Sequence, residues 1–231
     1  MKYLTLLYSV YYLVAISLLV TAFFVEKSAL VYMYPLPVLT ILGIYLLEEK
    51  KNELSFLYIL SLVIVIVGGI FLLLGLREYV SEVSILFSFF YIFLMRLMYL
   101  KNRKKQKEKI LYYRLVLIML PILYIYDRVM RLISPEIKTD IIYFSVLIIL
   151  ALLYIILSLY YYMRNKSQVN LWMLIMSCNL GLMNLVIMLN ELYVAERILT
   201  ITALFCYCMM LYFSLKFMLE DFENALHNTV D

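Results

Sequence analysis

Apolar residues run along this chain in blocks of about 20, separated by short clusters of charge, and about 20 residues is the length of α-helix that crosses a hydrocarbon core of ~30 Å. The blocks fall near residues 3–25, 28–47, 54–76, 79–100, 110–133, 141–163, 169–190 and 196–218. Gly is scarce, and none of them alternates with period two as the strands of a membrane barrel would. A helix satisfies its own backbone groups in lipid. The pattern therefore predicts an all-α polytopic membrane bundle of about eight transmembrane helices. It forms a single domain over 1–219, followed by a short acidic tail over 220–231.

Composition sharpens that picture. Of the 231 residues, 66% are hydrophobic and 16% charged, against roughly half and a quarter in a soluble domain. This argues against a soluble catalytic domain. Lys2 before the first block suggests a signal peptide, but the block is longer than the usual ~7–15 residues and no small-x-small site precedes Glu26, so it is expected to stay as the first helix.

Positive loops stay on the cytoplasmic side, which makes the run Lys101, Arg103, Lys104, Lys105, Lys107, Lys109 the reference face. Lys2, Lys50, Lys51, Arg164, Lys166 and Lys216 then share it, with Arg96 and Arg114 at the flanking helix ends. The opposite face holds only Lys27, Arg77, Arg128, Arg131, Lys138 and Arg197, 6 of the 20 Lys and Arg. Both termini are expected in the cytoplasm, in a multi-pass protein of the bacterial cytoplasmic membrane. The basic run is read as a topology signal that touches anionic lipid. No domain exists to present nucleic acid, so membrane lipids are the expected partners.

Metal and nucleophile chemistry is sparse. Cys178, Cys206 and Cys208 lie inside predicted spans, where they behave as small apolar residues. His227, the only histidine, sits in the acidic tail. No cofactor or metal is expected.

The informative residues are polar ones inside the apolar blocks, because hydrocarbon penalises them unless they face the bundle interior. In the 169–190 block Asn170, Ser177 and Asn184 are seven apart, as is Glu191 just beyond, and successive members drift by only about 20° around a helix. The 79–100 block carries Ser81, Ser84, Ser88 and Tyr91 on one side. Ser61, Gly68 and Gly75, also seven apart, suit close helix approach. Interhelical hydrogen bonding explains all three stripes, and a lined cavity would too. Pro35 and Pro37 predict a kink or opening in the 28–47 block. Asp127 and Arg131, four apart, are expected to pair at a membrane edge.

Taken in order, these features resemble the YhhN family of eight-helix membrane proteins, whose characterised members are lysoplasmalogenases that hydrolyse the vinyl ether of lysoplasmalogens. The likeness runs over nearly the whole chain. Where that family has Lys-Pro-Leu-Pro, this sequence has Tyr34, Pro35, Leu36, Pro37. Its Ser followed by Gly-Asp is matched by Ser61, then Gly68 and Gly69. Its His three residues before Tyr becomes Ser88 before Tyr91. Its Ser-Asp six residues before an Asn becomes Met183 and Asn184 before Asn190, and its Tyr followed by Gln-Tyr is matched by Tyr207, then Leu211 and Tyr212.

The resemblance implies a cavity for a lysolipid headgroup lined by Tyr34, Ser61, Gly69, Ser88, Tyr91, Ser177, Asn184 and Tyr207. Vinyl ether hydrolysis needs a proton donor and a base, and here the family's acids and histidine are replaced by groups that do not titrate near neutral pH. The expectation is a lipid-binding protein without the hydrolase chemistry. Two alternatives stay open, a hydrolase that uses Glu82 and Asp127 instead, and a small transporter or sensor.

Overall fold

The computed structural model describes residues 2–48, 56–102, 120, 121, 124, 126–128, 130, 131 and 140–220. Among them the backbone forms α1 (Lys2–Phe24), a 3-10 helix (Lys27–Tyr32), α2 (Pro35–Glu48), α3 (Phe56–Gly75), α4 (Val80–Asn102), α5 (Ile141–Arg164), α6 (Gln168–Leu192) and α7 (Arg197–Leu219). Seven helical segments, the 3-10 turn counted with α2, are long and apolar enough to cross a membrane. The chain is an all-α polytopic bundle, as its apolar blocks predict. Within the 110–133 block the described residues are helical. The rest of that block, Arg114 included, lies outside the described residues, as do the 103–109 run, Lys50, Lys51, Lys138 and His227.

Helix ends follow local chemistry. The 28–47 block is not one kinked helix. A 3-10 turn runs to Tyr32, and Pro35 opens α2. Proline is tolerated there because first-turn N–H groups have no intrahelical acceptor to lose. Gly75 ends α3 with φ +148°, a backbone conformation that glycine adopts at little cost. It is thus a terminator and not the packing glycine its spacing suggests. Gly68 is one: a Cβ there would meet the Phe87 ring of α4 at 3.0 Å.

The helices close into a ring. Each of α1 to α7 packs against the next, and α7 returns to α1 and α2. Leu13, Ile16, Phe89, Ile149, Leu185 and Phe205 point outward and are exposed, which suits hydrocarbon as the surrounding medium.

The ring has two chemically distinct ends. At one, the Tyr8 hydroxyl donates to Glu48 at 2.9 Å, Lys101 donates to the carbonyls of Phe217 and Met218, and the Trp172 indole donates to Glu220. At the other, Arg197 donates to the carbonyl of Phe23, Arg77 to that of Leu192, and Lys27 pairs with Glu191. Lys101 and Lys216 belong to the first end and Lys27, Arg77 and Arg197 to the second, the grouping that the charge pattern predicts.

Candidate functional site

The heptad stripe of α6 turns inward, and each member takes a partner on a different segment. The Asn170 amide donates to the carbonyls of Tyr161 (3.1 Å) and Asn165 (2.9 Å). Ser177 shares a bond of 2.6 Å with Ser158 of α5. The Asn184 amide donates to the Tyr91 hydroxyl of α4 at 2.6 Å. Glu191 pairs with Lys27 at the head of the 3-10 helix. Residues seven apart on one helix thus stitch it to its neighbours along its whole length.

The residues that the resemblance groups as one cavity lie in separate places. Tyr34, Gly69 and Tyr207 come together. The two tyrosine rings stack with centroids 4.3 Å apart, and the Tyr207 hydroxyl donates to the Tyr34 carbonyl at 3.0 Å. The Tyr34 ring fills the space that a side chain at position 69 would need. Tyr91 and Asn184 form their own pair. Ser61 is buried and donates to the Tyr58 carbonyl of its own helix at 2.7 Å, while Ser177 is taken up by Ser158. Ser88 sits on a groove of 250 Å³ between α4 and α5, beside Ser84, whose buried hydroxyl has no partner among the described residues.

Of the alternative acids, Glu82 is exposed and accepts from Ser81 at 2.8 Å. Asp127 pairs with Arg131 at 2.9 Å, and both side chains are at least half exposed. Neither lies with the tyrosine or asparagine groups.

Asn184 borders a separate, largely apolar groove of 220 Å³ with Tyr126, Leu147 and Gly181, and the space with charged walls lies elsewhere. A vestibule of 380 Å³ opens at the Lys27 end of the ring, lined by Glu26, Lys27, Asn190, Glu191, Glu196 and Arg197 among others. Below it lies an inner chamber of 40 Å³, walled by Leu73, Met183, Ala203 and Leu204 and reaching Tyr34 and Tyr207. That is room for a few water molecules. Gly69 lies six residues before the end of α3, so at 1.5 Å per residue the tyrosine stack is about 9 Å below that helix end.

Between the two spaces runs a continuous polar chain. Glu191 binds Lys27 on one side and takes a bond of 3.3 Å from the Asn190 amide. The same amide donates to the Thr200 hydroxyl of α7 at 3.1 Å, and the Asn190 carbonyl oxygen accepts from the Glu196 N–H at 3.0 Å. The Lys27 and Glu191 side chains are 28% and 14% exposed, so this pair is only partly hydrated.

The sequence pattern points at Asn184 and passes over Lys27 and Asn190. One signal for them was present. Glu191 continues the heptad stripe as its only charged member, and an acid on an inward-facing stripe calls for a cation at the same membrane depth.

Chemically, the vestibule can receive both signs of charge, through Lys27 and Arg197 on one side and Glu26, Glu191 and Glu196 on the other. Among the described residues no group of His, Cys, Asp or Glu is arranged to hold a metal ion. Compared with known proteins, the chain matches no protein-family model, no curated protein and no solved structure.

Proposed function

We propose that this chain is a lipid-binding protein of a bacterial cytoplasmic membrane, YhhN-like in its helix pattern, that holds a lysophospholipid headgroup in the vestibule without hydrolysing it. The observation that carries the reading is the vestibule itself, a space of 380 Å³ with cationic and anionic side chains on its walls. A zwitterionic headgroup offers a phosphate to Lys27 and Arg197 and an ammonium to the carboxylates, so both charges find partners. The lipid tail would lie along the exposed apolar flank of the ring. With the basic end in the cytoplasm, the vestibule faces the opposite side of the membrane.

The two positions where the resemblance expects carboxylates support the non-catalytic half of the reading. Gly69 is covered by the Tyr34 ring, and Asn184 is engaged by Tyr91. Neither supplies an acid or a base.

A second reading is favoured by one specific feature. Glu26, Glu191 and Glu196 all line the vestibule, and a set of carboxylates around a bound lipid is what acid and base catalysis of vinyl ether hydrolysis would use.

One experiment separates the two. Protein in lipid nanodiscs is incubated with radiolabelled 1-alkenyl lysophosphatidylethanolamine, and both retained lipid and released aldehyde are measured. The lipid-binding reading expects saturable retention, weakened by Arg197→Ala, with no aldehyde above an empty-disc control. Aldehyde release abolished by Glu191→Gln would establish the hydrolase instead, and absence of retention would remove the lipid assignment.

A further inference from the structure

We infer that Lys27, Glu191, Asn190 and Thr200 form a gate that separates the vestibule from the inner chamber and is held shut by the Lys27–Glu191 charge pair. These four residues line both spaces at once. The remaining walls differ completely. Ala195, Glu196 and Arg197 belong to the vestibule alone, and Ala203, Tyr34 and Tyr207 to the chamber alone.

The gate is a chain of bonds across three segments. It runs from Lys27 on the 3-10 helix to Glu191 and Asn190 on α6, and on to Thr200 on α7. Among the described residues, no other part of the chamber wall combines charge with a bond between segments. Another wall is the tyrosine stack, whose Tyr34 ring packs closely on the backbone at Gly69. Movement that joins the two spaces therefore has to come from the charged side.

Lys27 is suited to move. Its side chain is long, 28% exposed, and mounted on a six-residue 3-10 turn with longer helices on either side. Swinging it into the vestibule leaves Glu191 unpaired unless something replaces it, and a partly buried charge without a partner is costly. The closed state is thus the resting one, and the charge pair decides how often the chamber opens.

This inference rests on the proposed function only for locating the site, because chamber access can be measured with no lipid ligand present. The test uses the full chain in proteoliposomes with Cys178, Cys206 and Cys208 replaced by Ala and a single Ala203→Cys, whose thiol reports on the chamber. Aminoethyl methanethiosulfonate is added from the vestibule side and the labelling rate is followed by mass. A parallel Ala195→Cys protein reports on the vestibule and should label fast in every background.

With the pair intact, the thiol at position 203 should label slowly. Glu191→Gln and Lys27→Met should each speed it by about tenfold. The charge-swapped protein, Lys27→Glu with Glu191→Lys, should return it towards the slow rate, which a general loosening of the fold would not do. Equal rates at position 203 in the intact and Glu191→Gln proteins would overturn the gate. So would a swapped protein that labels as fast as the single variants. Failure of lysolipid retention would leave these rates, and the gate, untouched.

Discussion

Two lysines at opposite ends of the helical ring, Lys101 and Lys27, are held in different ways. At the basic end, backbone carbonyls and aromatic rings receive the ammonium groups. Lys101 donates to the carbonyls that finish α7, and Lys216 lies 5.1 Å from the Tyr8 ring centroid and 5.8 Å from that of Tyr212. Lys216, in the last turn of α7, also complements the helix dipole and is drawn to the ring faces. At the vestibule end, Lys27 faces a carboxylate across the rim of a cavity. Three carbonyls at one helix end hold Lys101 together, whereas the single carboxylate that holds Lys27 can exchange one cation for another. The difference between these two lysines lies in the partner, not in the charge.

That contrast can be tested by substitution, with unfolding in detergent as the common measurement. The largest effect should come from Gly69→Leu, since the Tyr34 ring occupies the space the new side chain needs. It should cost about 3 kcal/mol through overpacking, and a protein that melts like the parent would mean that the Tyr34 ring gives way without cost. Glu191→Gln should cost about 2 kcal/mol by leaving Lys27 partly buried without its partner. If the vestibule is a site of exchangeable partners, adding a soluble phosphate ester to that variant should recover part of the loss.

Lys101→Met at the basic end should cost about 1 kcal/mol, the scale of its bonds to the α7 carbonyls, and the same ester should recover none of it. Recovery at both ends would erase the distinction between them. The smallest internal effect belongs to Asn184→Leu, at about 0.6 kcal/mol for one interhelical bond in a membrane protein. A much larger loss there would mean that the Asn184–Tyr91 bond holds more of the bundle than one interhelical contact.

How far these features can be read from the sequence depends on how local their causes are. The helices were legible because about 20 apolar residues in a row admit few other structures. The stripe of Asn170, Ser177, Asn184 and Glu191 was legible because seven residues nearly complete two helical turns. Its partners were not. Glu191 meets Lys27 across 164 positions of sequence, and no local pattern encodes which helix will face it. Gly75 shows the same limit on a shorter scale. Its spacing marks it as a packing residue, but its backbone angle makes it a stop. The prolines announced a break near position 35, yet only the neighbouring 3-10 turn shows that they begin a helix instead of bending one.

The brevity of α2 has a mechanical consequence. Its 14 residues reach only about 21 Å at 1.5 Å per residue, short of a hydrocarbon thickness of ~30 Å. The six residues of the 3-10 turn that carries Lys27 add about 12 Å at ~2.0 Å per residue, so the membrane is crossed here by two joined pieces and not by one rod. Such a joint can fold or straighten to match the bilayer, and each Å of mismatch costs only a fraction of a kcal/mol. The flank that carries the mouth of the vestibule would then follow membranes of different thickness, which would make the protein sensitive to acyl-chain length in its host membrane.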